Sequence, residues 1–516
     1  MSTIPASFLK NSTHPPESLQ KLFRHPVSND DRAEITRYLV DTERSYDKCQ
    51  LEINKYRALI LILESERERM KKSMEKYRSL LSPVHRLPSE LLLEIFGHLC
   101  KVNQLDDNTL APASALSMVC GRWRQVALAS PRLWSSISMY LYCSEGRRDK
   151  VIANLTRLFL ERSRRAPLRL WIDFPWDPEE YHDGRTILDI LEEQSERWEE
   201  VEVHGRELFA SSQSRGDIHL PNLKHLALYT WTPDSPQSSW PLDRFKHCPV
   251  LTSFYTDVAQ TEDRIELPWM NIRVLKLEYC TEMRALTVLT SFPNLEHLTI
   301  SNIETYSADS EELKLVLDKL KTLTIDGERC SSTSILRQFT SRRLSSIAIA
   351  NASIESLDLE RFLQRSSCSI TTLHLDRLVF TDSQLLSVLR FMPDLRTLDV
   401  GESKPRRVIT SRFLDHLTVD PDVSRSPFLP HLTELRLKVS AKDLQERALV
   451  NALTSRWLPG GNSSTSTAMA VDRLESVDVV LLWWNDPPAM DTPSALQCLR
   501  AVGMRLTISH LTYGKE

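Results

Sequence analysis

The chain has 516 residues, 41% hydrophobic and 26% charged, with a formal net charge of −4 and a pI near 6.4. That length allows several domains or one extended array, and the near-balanced charge gives no global pull toward nucleic acid or an anionic membrane. Only 12 glycines argue against a fold built on glycine-rich phosphate loops, and nine cysteines without a Cys-x-x-Cys pair read as reduced thiols of the cytoplasm or nucleus, not a disulfide framework or zinc site. Met1 to Lys10 has no charged region followed by an apolar core, so no secretory signal is expected. The longest strongly apolar run, Val477 to Trp484, is too short to span a bilayer.

Residues 1–27 hold Pro5, Pro15, Pro16 and Pro26 with little apolar periodicity, and read as a disordered N-terminus. From Ser28 to Ser82 no glycine or proline occurs. Ile35, Leu39, Thr42, Tyr46, Cys49, Ile53, Tyr56, Ile60, Leu63, Arg67, Met70, Met74, Tyr77 and Leu81 recur at alternating spacings of four and three. That period predicts a long coiled-coil-like helix over 28–82, ended by Pro83. Its seam pairs with a second copy or another protein, or folds back along the same chain. The basic cluster Arg67, Arg69, Lys71, Lys72, Lys76 and Arg78 is interleaved with Glu66, Glu68 and Glu75, which reads as a solvated helix face.

Pro88 suits the first position of a helix, where its missing N–H costs nothing. Leu91, Leu92, Ile95, Phe96 and Leu99 follow at helical spacing, and Leu116, Val119, Cys120 and Trp123 make a second stripe stopped by Pro131. About fifty residues with this much apolar surface are marginal alone, so a partner is expected to cover part of it. Leu87-Pro88, Ile95-Phe96, Val119-Cys120-x-x-Trp123 and Pro131-x-Leu133-Trp134, in that order, resemble an F-box, a small all-α module, over 83–134. The resemblance implies docking onto a Skp-type adaptor, and through it a cullin–RING ligase. The contact would use Leu87, Pro88, Leu91, Ile95, Leu116, Val119 and Cys120, with Trp123 and Trp134 packed inside. Cys100 to Ala111 is longer and more polar than in many F-boxes, which leaves the connection there open. Residues 135–164 read as a helical linker.

From about residue 165 a Leu-x-x-Leu-x-Leu pattern returns, as in Leu223-x-x-Leu226-x-Leu228, Leu295-x-x-Leu298-x-Ile300 and Leu395-x-x-Leu398-x-Val400. A self-similar period of about 25 predicts an α/β solenoid, each copy a short strand plus a helical return. Over 165–482 the pattern resembles an irregular leucine-rich-repeat array, with 483–516 as a C-terminal cap and tail. It departs from the family in one respect. The asparagine or cysteine expected three residues after the last motif leucine is met only at Cys280, whereas Trp231, Ile303, Glu328, Ala352, Leu378 and Ser403 stand elsewhere. Longer late steps imply loops near Lys404 to Arg407 and Pro459 to Ser466. In such an array the residues between motif leucines line the concave sheet. That geometry nominates Tyr229, Tyr255, Glu278, His297, His374, Asp376, Arg436 and Lys438, along with Ala227 and Asp257, for binding a protein substrate.

Catalytic signals are wanting: no Gly-x-Ser-x-Gly elbow, phosphate loop or His-Glu-x-x-His helix occurs. No enzyme activity, cofactor, metal, nucleic acid or membrane partner is expected. The reading is the substrate-recognition subunit of a Skp–cullin–F-box ubiquitin ligase in the cytoplasm or nucleus, possessing a possible homodimer contact through 28–82. The alternative is a Skp-binding or coiled-coil repeat scaffold without a role in ubiquitination.

Overall fold

The computed structural model describes residues 19–20, 22–24, 26–106, 108–141, 147–174, 184–205, 218–229, 245–257, 268–303, 314–327, 335–377, 379–402, 407–419, 427–457, 471–484, 494–501 and 503–513. Most of 1–27, Trp231, Glu328, Leu378, Ser403, Lys404 to Arg406 and Pro459 to Ser466 lie outside them. The chain divides into two compact units, Met1–Leu92 and Leu93–Glu516, with the boundary inside one helix.

The first unit is dominated by a helix of 52 residues, Asn29–Leu80. Ser28 and Asp31 form a capping box: the Ser28 hydroxyl accepts from the Asp31 N–H at 3.2 Å, and the Asp31 carboxylate accepts from the Ser28 N–H at 2.9 Å. Hydrogen bonds donated to it by the Ser28 hydroxyl, at 2.6 Å, and by the Ser28 N–H hold the Asp31 carboxyl below the usual carboxylate range. None of the helix's residues is buried. A 3-10 turn, Pro83–Arg86, follows, and the next helix, Ser89–Leu99, starts right after Pro88.

The second unit is built on one parallel sheet of 15 strands laid down in chain order, each bonded to the next. It opens with β1 (Asn103–Leu105), β2 (Ser136–Tyr140), β3 (Leu168–Asp173), β4 (Trp198–His204) and β5 (His225–Tyr229). β6 (Ser253–Thr256), β7 (Val274–Glu278), β8 (His297–Ser301), β10 (Thr322–Asp326) and β12 (Ser346–Ala350) continue it. It ends with β13 (Thr372–Asp376), β14 (Thr397–Gly401), β15 (Glu434–Ser440), β16 (Ser476–Trp484) and β17 (Leu506–Tyr513). The short β9 (Leu315–Val316) and β11 (Phe339–Thr340) pair separately. Parallel neighbours need a crossover, and helices such as Ser356–Ser366, Asp382–Leu389 and Ser411–Leu417 supply it. Thr381 and Thr410 cap the last two.

Register turns the motif leucines into continuous rows. Leu298, Leu323, Ile347, Leu373, Leu398, Leu435 and Val477 stand side by side, and Ile300, Ile325, Ile349, Leu375, Val400, Leu437 and Val479 form the row two residues on. All are buried. At about 1.5–3 kcal/mol per large apolar side chain, these rows are the main driving term of the sheet. Where an asparagine ladder is absent, the chain turns on a left-handed residue instead. Tyr279, Asn302 and Asn351 have φ of 49°, 53° and 52°, and the next residues, Cys280, Ile303 and Ala352, are buried.

The sheet reaches beyond the range read from the repeats. Residues 135–164 are not simply a helical linker: they contain β2, bonded to β1 and β3, followed by the helix Arg147–Ser163. At the other end β16 runs past residue 482 and β17 pairs with it, so part of the expected cap is strand. Neither region carries the full leucine motif, but strand pairing on the neighbouring edge does not require it.

Candidate protein-docking surfaces

The Ser89–Leu99 helix is apolar on two adjoining stripes. Leu92 and Phe96, with Cys100 just beyond, are buried, whereas Leu91, Ile95 and Leu99 are 47%, 45% and 55% exposed. Three large apolar side chains at i, i+4 and i+8 in water mark a surface suited to a partner. Pro88 is also exposed and Leu87 half-buried. In the Pro112–Val119 helix, Met118 and Val119 are 68% and 61% exposed. Leu116, expected at the adaptor contact, is instead only 7% exposed and belongs to the interior. Cys120 caps the Gly121–Ala129 helix, its sulfur accepting from the Trp123 N–H at 3.5 Å. Leu99, read from the sequence as part of the stripe but not as a contact, and Met118 extend the exposed set beyond the expected adaptor contacts.

Trp123 packs on Phe96 with ring centroids 4.9 Å apart, and the Trp134 indole donates to the Ala127 carbonyl at 2.8 Å. The polar stretch after Cys100 is ordered by Asn103, which is fully buried. Its amide nitrogen donates to the carbonyls of Leu133 and Ser136, each at 2.9 Å, and of Cys100 at 3.4 Å. Its oxygen accepts from the Ala113 N–H at 3.0 Å. One side chain thus ties together a helix end, a helix start, the Pro131–Trp134 turn and β2. Burial pushes the Cys100 thiol up to about 11, which suits an inert core residue.

The partly exposed face of the sheet holds the alternate side chains of each strand. Tyr229, Tyr255 and Glu278 come together near its beginning with His225 and Lys276, and with Tyr140, Trp171, Glu202 and His204, which the sequence reading passed over. Trp171 donates to Glu202 at 3.0 Å, His204 bonds the same carboxylate oxygen at 2.8 Å, and His204 stacks on Tyr229 at 4.8 Å. Tyr140 packs edge-on against Trp171 at 4.8 Å, and Tyr255 against His225 at 4.5 Å. The Lys276 ammonium lies 5.9 Å from the Tyr229 ring centroid and 2.5 Å from Glu278. Burial raises Glu202, but hydrogen bonds from His204 and Trp171 outweigh it and hold the carboxyl below its ordinary range. Burial, then Glu278 and Glu202, pushes the Tyr229 hydroxyl up. Ala227 and Asp257, expected at this surface, are buried. Strand alternation in Leu168-Arg169-Leu170-Trp171 was the signal that could have found Trp171.

A second group lies on β13 to β16. Lys438 reaches Asp376 at 2.9 Å, passing over Gly401 on the strand between. A Cβ at Gly401 would stand 2.1 Å from an Asp376 oxygen, so only glycine leaves room for the bridge. Arg436 pairs with Asp478 at 3.0 Å, and His374 faces Asp399 at 3.4 Å. His297 joins neither group, since its ring bonds Thr322 at 2.7 Å. Among the described residues, no group of three or more His, Cys, Asp or Glu could hold a metal ion, and no helix is long and apolar enough to cross a membrane.

Residues 84–140 match the F-box-like family model, a span that runs on past Trp134 and takes in β1 and β2. F-box domains typically bind Skp-type adaptors in cullin–RING ligases. No curated protein matches the chain.

Proposed function

We propose that this chain is the substrate-binding subunit of a Skp–cullin–F-box ubiquitin ligase. The exposed apolar stripe Leu91, Ile95 and Leu99, lying within the F-box-like match, carries the reading. In it Leu87, Pro88, Leu91, Ile95 and Val119 contact the adaptor. The parallel sheet acts as an irregular leucine-rich-repeat solenoid, whose partly exposed face holds a protein substrate. The chain supplies no chemistry of its own. It works in the cytoplasm or nucleus by proximity, holding a substrate lysine near a conjugating enzyme brought by other subunits. The test is a binding assay between the full chain and a Skp-type adaptor, with the double change Leu91→Asp/Ile95→Asp. Both positions are exposed, so the fold is expected to survive and affinity to fall at least tenfold. An adaptor that ignores the wild-type chain would sink the proposal.

The Asn29–Leu80 helix adds a second contact in this reading. Its seam is pairing surface for another copy, because 52 residues without one buried side chain leave the apolar row from Leu39 to Tyr77 exposed to water. Sedimentation of the full chain is expected to give a dimer, and Ile53→Asp/Ile60→Asp a monomer. A monomeric wild type would rule the contact out.

A further inference from the structure

We infer that the Asn29–Leu80 helix pairs antiparallel with the same helix of a second copy, in the register that levels Asn29 of each copy with Leu80 of the other. The inference deepens the proposed function and rests on its reading of this helix as the pairing surface between copies.

The seam selects this register. With the ends levelled, Ile35 faces Met74, Leu39 faces Met70, Tyr46 faces Leu63, Cys49 faces Ile60 and Ile53 faces Tyr56. The two seam positions that are not apolar, Thr42 and Arg67, fall opposite each other. A shift of one heptad either way keeps seam on seam but sets Thr42 against Met74 or Ile60, and Arg67 against Cys49 or Ile35. The Thr42 hydroxyl donates to the Tyr38 carbonyl at 2.8 Å, and a hydroxyl that donates still has lone pairs to accept from a guanidinium. A level parallel pair would instead set Arg67 against Arg67 of the other copy, like charge on like charge in the seam.

Charge along the helix agrees. Residues 29–54 hold seven carboxylates and four cations, a net of −3, whereas residues 55–80 hold four carboxylates and eight cations, a net of +4. Pairs formed within one half, such as Arg44 with Asp41 at 3.7 Å, leave that half's net charge unchanged. The antiparallel register lays the acidic half of each copy along the basic half of the other, and a parallel pair lays each along its own kind. Orientation has a consequence for the docking segment that starts beyond Leu80. At 1.5 Å per residue, the 52-residue helices hold the two Leu80 ends about 78 Å apart, where a parallel pair would bring them together.

The test oxidises the full chain with copper phenanthroline and separates it on a non-reducing gel. Cys49 is exposed and falls opposite Ile60 in this register. Ile60→Cys is therefore expected to raise the yield of disulfide-linked dimer about fivefold or more over wild type, and Ile60→Cys/Cys49→Ser to lose it. A parallel pair reverses both results, since wild type then links through Cys49 of both copies and the double variant still links through position 60. Carbodiimide coupling of the wild type, followed by peptide mapping, needs no substitution. It is expected to join a carboxylate of residues 30–43 to Lys71, Lys72 or Lys76. Within one helix these groups stand about 42 Å or more apart, so the link arises only between copies. Linkage of Cys49 to Cys49 in wild type, or coupling only between residues a few positions apart, overturns the inference. Sedimentation of the same preparations separates the outcomes: a dimer without the expected links defeats the orientation alone, and a monomer defeats the pairing with it.

Discussion

Asn103 divides its two amide hydrogens among the carbonyls of Cys100, Leu133 and Ser136 while its oxygen takes the Ala113 N–H. Asparagine is suited to this because it offers donors and an acceptor on one short, neutral stem. Asn103→Asp keeps the shape and the acceptor but points a carboxylate at three carbonyls. The change is expected to lower stability by about 3 kcal/mol or more, read by denaturant unfolding. An unfolding midpoint equal to wild type would show that the network is not what orders this stretch. Nothing local in Cys100 to Ala111 reveals the role, since two of the three carbonyls come from residues 30 and 33 positions away. Gly401 is similar: its need for glycine comes from Asp376 and Lys438, 62 residues apart.

At the scale of the element, the strands are legible because alternation with period 2 is written into each short run, and the long helix because its seam recurs without glycine or proline. The turns leaving the strands are less so. Arg377, at φ 52°, follows β13 in the left-handed region, a conformation that costs a non-glycine residue roughly 1 kcal/mol. Its side chain is exposed, so little packing is at stake. Arg377→Gly is therefore expected to leave stability equal or up to about 1 kcal/mol higher, whereas Arg377→Val, β-branched at positive φ, should cost more than 1 kcal/mol. Denaturant curves of the two variants decide it, and a Val variant as stable as the Gly variant would contradict the turn geometry. The same turns explain why the repeats lack an asparagine ladder. The position it would fill is taken by buried Ile303 and Ala352, apolar side chains that need no hydrogen bonds, and by buried Cys280, which alone fits the family pattern.

At the scale of the whole molecule, the F-box-like match and the sheet share structure. β1 and β2 fall within residues 84–140, and β2 is bonded to β3 outside them. A fragment covering 83–134 lacks β2 and the Ser136 carbonyl that Asn103 uses, and is expected to be largely unfolded by circular dichroism. A fragment covering 83–174 keeps β1 to β3 and should unfold cooperatively. A stable 83–134 fragment would show that the two parts are independent. By itself the sequence determined the long helix, the order of the docking segments and the placing of most strands, because periods of 2, 3.5 and about 25 are properties of neighbouring residues. Only the tertiary structure decided which apolar side chains of the docking module face outward, with Val119 exposed and Leu116 not. It likewise gathered Trp171, Glu202, His204 and Tyr229 on one face and left Asp399 with an oxygen unmatched among the described residues. Burial and pairing of this kind depend on strands brought together across the sheet from distant parts of the chain, which no local pattern records.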